Sequence, residues 1–206
     1  SESGPLNMGG TNEELILQIA ARIVKDMKEM KPEAWIDWQI AGDQSPVWAL
    51  IVGNYSDISH PVSKADSYYI RSQFSRFIKP GYTIVDCKDP NTLAAINPEK
   101  TELVLVICNE TSATVSHSYN LEAFQTAGPA IQRYRSGKVN DSYYERLAKI
   151  NVTLSGKVLD YTAPKYSVTT FVIPVQVSTS NIGEGKYYFK NKASGSYAGI
   201  NGASTS

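Results

Sequence analysis

A chain of 206 residues has room for one large domain or two modest ones. Twenty basic residues against twenty acidic ones leave no net charge, so the electrostatic footprint that nucleic acid or an anionic membrane surface requires is absent. A chain that is 42% hydrophobic and 19% charged is ordinary globular protein rather than a disordered tail, and no apolar run approaches the roughly 20 residues of a membrane span.

The first segment, Ser1-Glu-Ser-Gly-Pro5, is too short to read by itself. Thr11-Asn-Glu-Glu14 fits a capping box, with Thr11 as the N-cap and Glu14 reaching back. From there Ile16, Ile19, Ile23, Met27 and Met30 form one stripe, while Lys25, Asp26, Lys28 and Glu29 face away, so an amphipathic helix is predicted up to Pro32. Trp35-Ile-Asp-Trp-Gln39 reads as a short strand, which makes the start of the chain a parallel strand-helix-strand unit. Ala41 to His60 reads as a loop carrying Gly42, Pro46 and Gly53, interrupted by the apolar run Val47 to Val52; loops of this length in a compact domain tend to be functional.

A second helix follows. Ile70, Phe74, Phe77 and Ile78 recur at helical spacing until Lys79-Pro80-Gly81 stops them, and Tyr82 to Cys87 then alternates like a strand. This is the expected domain boundary, with 1–80 before it and 81–177 after it. Thr92 to Ile96, the turn Asn97-Pro-Glu-Lys100 and Glu102 to Asn109 read as a hairpin whose second strand is buried on both faces. Val115 to Leu121, Ala130 to Arg135, Lys149 to Leu154, Lys157 to Thr162 and Ser167 to Ile173 supply further strands at sandwich-like spacing, with a helical turn expected over Asp141 to Leu147. Residues 178–185 are small and linker-like, and 186–206 form a separate tail.

Thirteen tyrosines and three tryptophans suit stacking on neutral sugar faces, as well as core packing and strand formation. The two cysteines, Cys87 and Cys108, both fall in predicted strands and read either as a disulfide or as two buried thiols. His60 and His117 lie in different regions without Cys, Asp or Glu at ligand spacing, so neither a metal site nor a Ser/His site is expected. Asn-x-Ser/Thr sequons stand at Asn54, Asn109, Asn140 and Asn151.

The run Tyr68-Tyr-Ile-Arg-Ser-Gln-Phe-Ser-Arg-Phe-Ile-Lys-Pro-Gly-Tyr82 resembles the final barrel helix and exit turn of glycoside hydrolase family 30, the group of glucosylceramidases, xylanases and β-1,6-galactanases. The resemblance implies an α/β plus all-β chain: the last β/α units of a TIM barrel, followed by an antiparallel β-sandwich, over roughly Ser1 to Val177. Glu2-Ser-Gly is similar to the end of the family's seventh strand, which makes Glu2 the implied catalytic nucleophile. A retaining glycosidase needs such an ionised carboxylate about 5–5.5 Å from a second carboxyl that protonates the leaving oxygen. Trp38 matches the eighth-strand tryptophan that forms a wall under the sugar; Trp35 and Asp37 also match, but alternation makes at least one of them a scaffold residue. Trp48 is either an outer-subsite platform or the residue that pins its loop.

The implied activity is hydrolysis of a β-linked polysaccharide without metal or cofactor, endo-β-1,6-galactanase ahead of xylanase or β-glucosidase. The acid/base glutamate is expected in a missing upstream barrel portion, on the same or a separate chain, and the enzyme is expected to be secreted. Gly185 to Gly202 looks like the opening of a ricin-type β-trefoil sugar-binding module. The competing reading is a non-catalytic carbohydrate-binding module with the sandwich as its body.

Overall fold

The computed structural model describes residues 10–36, 39–43, 46–59, 61–140, 143–154, 156–177, 187–190 and 197–200. Helix α1 spans Asn12–Glu29. Its capping box forms as expected: the Glu14 amide donates to Thr11 Oγ1 at 3.3 Å, and the Thr11 amide donates to Glu14 Oε2 at 2.8 Å. The stripe of Ile16, Leu17, Ile19, Ala20, Ile23 and Val24 is buried. Beyond Met30 the chain turns through Lys31 at φ +47° and meets Pro32, which cannot continue the helix.

Three short strands follow, β1 (Ala41–Asp43), β2 (Ile51–Gly53) and β3 (Val62–Lys64), then helix α2 (Asp66–Ser75). Strand β1 pairs parallel with β2, and β2 pairs antiparallel with β3. The segment expected to be one long loop therefore contains a parallel pair. Parallel strands ordinarily need a long crossover, but strands of three residues require a return of only about 10 Å, within the reach of residues 44–50. The strand expected at Trp35 to Gln39 is not seen in its described residues: Trp35, Ile36 and Gln39 lie outside strands, and the first described strand begins at Ala41.

The remainder is β structure: β4 (Thr83–Val85), β5 (Thr92–Ile96), β6 (Glu102–Asn109), β7 (Val115–Asn120), β8 (Thr126–Ala127), β9 (Ala130–Asn140), β10 (Tyr143–Thr153), β11 (Val158–Ala163) and β12 (Ser167–Gln176). The main sheet runs β10-β9-β12-β6-β5-β4, antiparallel throughout, with β8 beside β12; β7 and β11 form a separate antiparallel pair. Strands β13 (Tyr187–Lys190) and β14 (Tyr197–Ile200) make a further antiparallel pair. No described helix is long and apolar enough to cross a membrane.

Alternation along β6 explains its double burial. Leu103, Leu105 and Ile107 join a core with Leu159, Tyr119 and Leu121 from β7, β11 and the turn after β7. Val104, Val106 and Cys108 face the other way, into a core with Ile16, Ile19 and Ile23 of α1 and Ile70 and Phe74 of α2. Each fully buried aliphatic side chain contributes about 1.5–3 kcal/mol. The two helices are thus the second layer of the sheet, and one apolar core runs across the junction at Gly81.

Polar side chains pin this layer in register. Gln73, fully buried in α2, donates from Nε2 to Ser136 Oγ at 2.8 Å and accepts from Thr170 Oγ1 at 2.7 Å. Ser136 Oγ also accepts the Leu147 amide at 2.9 Å. That amide belongs to β10, so the helical turn expected over Asp141 to Leu147 is not formed over the described part of that run. Pairing with β9, the Arg135–Glu145 ion pair and the bond from Arg146 Nε to Asp66 Oδ1 (2.8 Å) override local helix propensity, and Leu147 sits at φ +55° in the register shift between Glu145 and Ala148.

Both cysteines are free thiols. Cys108 belongs to the helix-side core and Cys87 packs against the other, so they lie in different cores. Burial raises the pKa of each, which keeps them protonated and inert. Asn109 is 2% exposed, and its Nδ2 donates to the carbonyls of Ala113, Ala163 and Pro164, so that sequon is closed to a glycan.

Candidate active site

A loop can hold a functional side chain still only if its own carbonyls are satisfied, because an unpaired buried carbonyl costs as much as a lost hydrogen bond. Helix α2 meets that need for the Trp48 loop. Ser67, fully buried, donates to the Ala49 carbonyl at 2.5 Å, and Arg71 Nη2 reaches the Val47 carbonyl at 3.4 Å. Burial draws the Arg71 pKa down to about 10, so the guanidinium remains charged at neutral pH beneath the loop. On the other side the Gln39 amide donates to the Trp48 carbonyl at 2.9 Å, and the Ile51 amide donates to Ile40 at 2.9 Å. The backbone around Trp48 is therefore held on both flanks, and the indole packs, partly buried, against the helix-side core.

Trp35 also packs against that core, and its Nε1 donates to Asp26 Oδ2 at 3.2 Å. Asp26 is 5% exposed and takes a second partner, Arg22 Nε, at 2.7 Å. The indole N–H of Trp35 is thereby committed to α1. Glu2, Asp37 and Trp38 lie outside the described residues, as does His60.

The carboxyl ends of the parallel pair carry two residues that sequence reasoning passed over. Asp43 ends β1, and its Oδ1 accepts the Tyr55 amide at 3.2 Å, so the carboxylate fixes the chain as it leaves β2. Asn54 Oδ1 accepts the Ser56 amide at 3.1 Å, and Asp57 Oδ1 accepts both the amide and the hydroxyl of Ser59, at 2.9 and 2.7 Å. Tyr55 is 58% exposed in this otherwise self-bonded turn. A signal existed: an aromatic directly after Gly53-Asn54 at the end of an apolar run.

A second polar cluster joins α1 to the sheet. Lys28 Nζ donates to the carbonyls of Cys87, Asp89 and Thr92. Asp89 in turn binds His117 Nδ1 at 2.6 Å, Tyr119 OH at 2.9 Å, Thr92 Oγ1 at 2.9 Å and the Asn91 amide at 2.9 Å. Burial pushes the Asp89 carboxyl up, but the bonds from Asn91, Tyr119, Thr92 and His117 together bring it below the usual carboxylate value. Every partner of the carboxylate is a donor within the fold, which makes this an internal strut. Among the described residues no three His, Cys, Asp or Glu side chains converge as a metal site. The adjoining groove of about 600 Å³ between α1 and residues 86–91 mixes Lys25 and Lys88 with Glu29 and Glu110 and has no aromatic lining.

No family profile matches the chain. Over 106 residues, 52% of the chain, it is 30% identical to an endo-beta-1,6-galactanase of Hypocrea rufa, covering 21% of that protein. Over 138 residues, 65% of the chain, it is 27% identical to the glucuronoxylanase XynC of Bacillus subtilis (strain 168), covering 31% of it. The chain thus spans about a fifth to a third of the curated relatives it matches. Its fold matches that of a glycoside hydrolase family 30 subfamily 8 xylanase, Xyn30A, from Clostridium acetobutylicum: TM-score 0.63 at 24% identity, covering 81% of this chain and 40% of that one. Its relatives and structural neighbours are glycoside hydrolases.

Proposed function

We propose that the chain is the C-terminal portion of a secreted, retaining glycoside hydrolase of family 30 that cleaves β-linked polysaccharide, with β-1,6-galactan as the first-choice substrate and xylan or a β-glucoside next. The observation that carries the reading is the 30% identity to the endo-beta-1,6-galactanase, together with a fold shared with a family 30 xylanase. In this reading Glu2 attacks the anomeric carbon and forms the glycosyl-enzyme, while a glutamate of the upstream barrel portion protonates the leaving oxygen and then activates water. Trp38 carries the ring of the bound sugar, Trp48 borders an outer subsite, and Trp35 supports the wall from the α1 side. The fixed backbone around Trp48 suits this role, because stacking is effective only on a preorganised surface. The tail from Gly185 is read as the start of a ricin-type sugar-binding module, of which the described residues contribute one strand pair.

An upstream barrel portion would also cover what residues 30–62 leave exposed: Met30, Ile36, Ile40, Ile58 and Val62 are 61–95% exposed, and among the described residues β1 has no strand on its outer edge. Against a free-standing binding module weighs the helix-side core. A chain beginning at Pro80 would bare Leu93, Val104, Val106 and Val168, all of which pack on the helices.

The test is hydrolysis of β-1,6-galactan and xylan by the chain supplied with its upstream barrel. Turnover is expected, with a loss of about a thousandfold or more in Glu2→Gln, and none from the 206 residues alone. Equal activity of the Glu2→Gln variant would refute the assignment.

A further inference from the structure

We propose that Tyr55 is an aromatic platform for an outer pyranose unit of the bound glycan, a specificity-determining residue at the carboxyl end of the β1–β2 pair. This rests on the glycosidase reading above and extends it. Three observations carry it. First, an exposed aromatic ring is free to stack only if something holds it open, and Tyr55, 58% exposed, is held: its amide is bonded to Asp43 Oδ1 and its turn is closed by Asn54 and Asp57.

Second, one side of the ring is seated on Gly53. A Cβ at residue 53 would come within 3.3 Å of Tyr55 Cε1 and 3.6 Å of Cδ1, with Val62 Cγ1 at 3.5 Å, so the bare α-carbon is what lets the ring lie back against the strand. Third, Asp43 and Gly53 are register partners at the carboxyl ends of β1 and β2, so the turn that carries Tyr55 stands just beyond the end of the strand pair. The ligand class follows from the chemistry. Among the described residues no cation is seen over the ring, and the chain has zero net charge, which suits the apolar C–H face of a neutral pyranose.

The experiment uses the barrel-completed enzyme and a length series of β-1,6-galacto-oligosaccharides, with xylo-oligosaccharides in parallel. Tyr55→Ala should raise KM about tenfold for the longer oligosaccharides, as expected for roughly 1.4 kcal/mol of lost stacking. It should change kcat less than about twofold, leave the shortest cleavable substrate unaffected and lower the thermal midpoint by less than about 2 °C. Tyr55→Phe should behave as wild type, because the ring and not the hydroxyl carries the contact. Unchanged KM for Tyr55→Ala across the series would overturn the platform, as would a Tyr55→Phe defect equal to that of Tyr55→Ala. A fall in the thermal midpoint of more than about 2 °C would overturn it too, since it would mean that protein covers both faces of the ring. A wild type that cleaves neither series would instead overturn the glycosidase reading itself, and the platform with it.

Discussion

Residues 30–62 and the sheet of residues 83–176 are built to opposite standards of closure. In the sheet, β6 is buried on both faces, and among the described large hydrophobic side chains there only Ile150 and Val158 stand out, at 44% and 42% exposed. In the shorter segment Met30, Ile36, Ile40, Tyr55, Ile58 and Val62 are all more than half exposed. The backbone of that same segment is nevertheless tied down by Ser67, Arg71, Gln39 and Asp43. An open surface over a fixed backbone is what a partner or a ligand needs. The contrast separates the part of the molecule that makes it stable from the part proposed to be completed by an upstream barrel portion.

The largest effect should come from breaking the closed region. Phe171, 1% exposed between β11 and the main sheet and edge-on to Tyr161 at 5.0 Å, has no room to collapse when truncated. Phe171→Ala should cost about 3–5 kcal/mol in denaturant unfolding; a cost below about 1 kcal/mol would mean that the sheet's second face is not a packed core.

The strut between α1 and the closed sheet gives a smaller effect that depends on pH. The Asp89 carboxyl is held below its unfolded value near 3.9, so its contribution is present above that pH and is lost as the pH falls through the folded value. The thermal midpoint should therefore hold between about pH 5 and 7 with respect to this group and fall below about pH 4. Asp89→Asn should lower the plateau and flatten the acid limb. An acid limb identical in the variant would remove Asp89 as its source.

The smallest effect on stability should come from the open region. Ile58 is 95% exposed, so Ile58→Lys should shift the unfolding free energy of this chain by less than about 0.5 kcal/mol. It should still weaken association with the upstream barrel portion in a co-purification titration. Undisturbed association would show that the exposed isoleucine is not part of that contact.

What could be read from the sequence was local. The Thr11–Glu14 capping box and the double burial of β6 follow from residues a few positions apart and are present in the structure. The α1 stripe, by contrast, is fully buried only through Ile16, Ile19 and Ile23: Met30 is exposed, and Asp26 and Lys28, expected to face away, are turned inward by Trp35 and by the carbonyls of Cys87, Asp89 and Thr92. The β10 segment could not be read that way, because its strand pairing depends on β9 and on partners such as Asp66, 80 positions from Arg146. The same limit hid the pair of His117 and Asp89, 28 positions apart and joined only once β7 folds over the 86–92 turn. In the motif Gln73-Phe-Ser-Arg-Phe77, helical spacing marks Phe74 and Phe77 as core. The reason for Gln73 appears only with Ser136 and Thr170 beside it. At the candidate site Trp35 and Trp48 stood out by residue type. Asp43 and Tyr55 did not, because what joins them, the Tyr55 amide on Asp43 Oδ1 at the end of a parallel pairing, lay inside a segment read as loop.

The most direct measurement for the central claim is peptide mass spectrometry of the barrel-completed enzyme after reaction with a 2-deoxy-2-fluoro glycoside carrying a good leaving group, which slows hydrolysis of the glycosyl-enzyme and lets it accumulate. The account predicts one glycosyl adduct, on the peptide containing Glu2 and absent from Glu2→Gln. An adduct on any other carboxylate, with Glu2 unmodified, would contradict it.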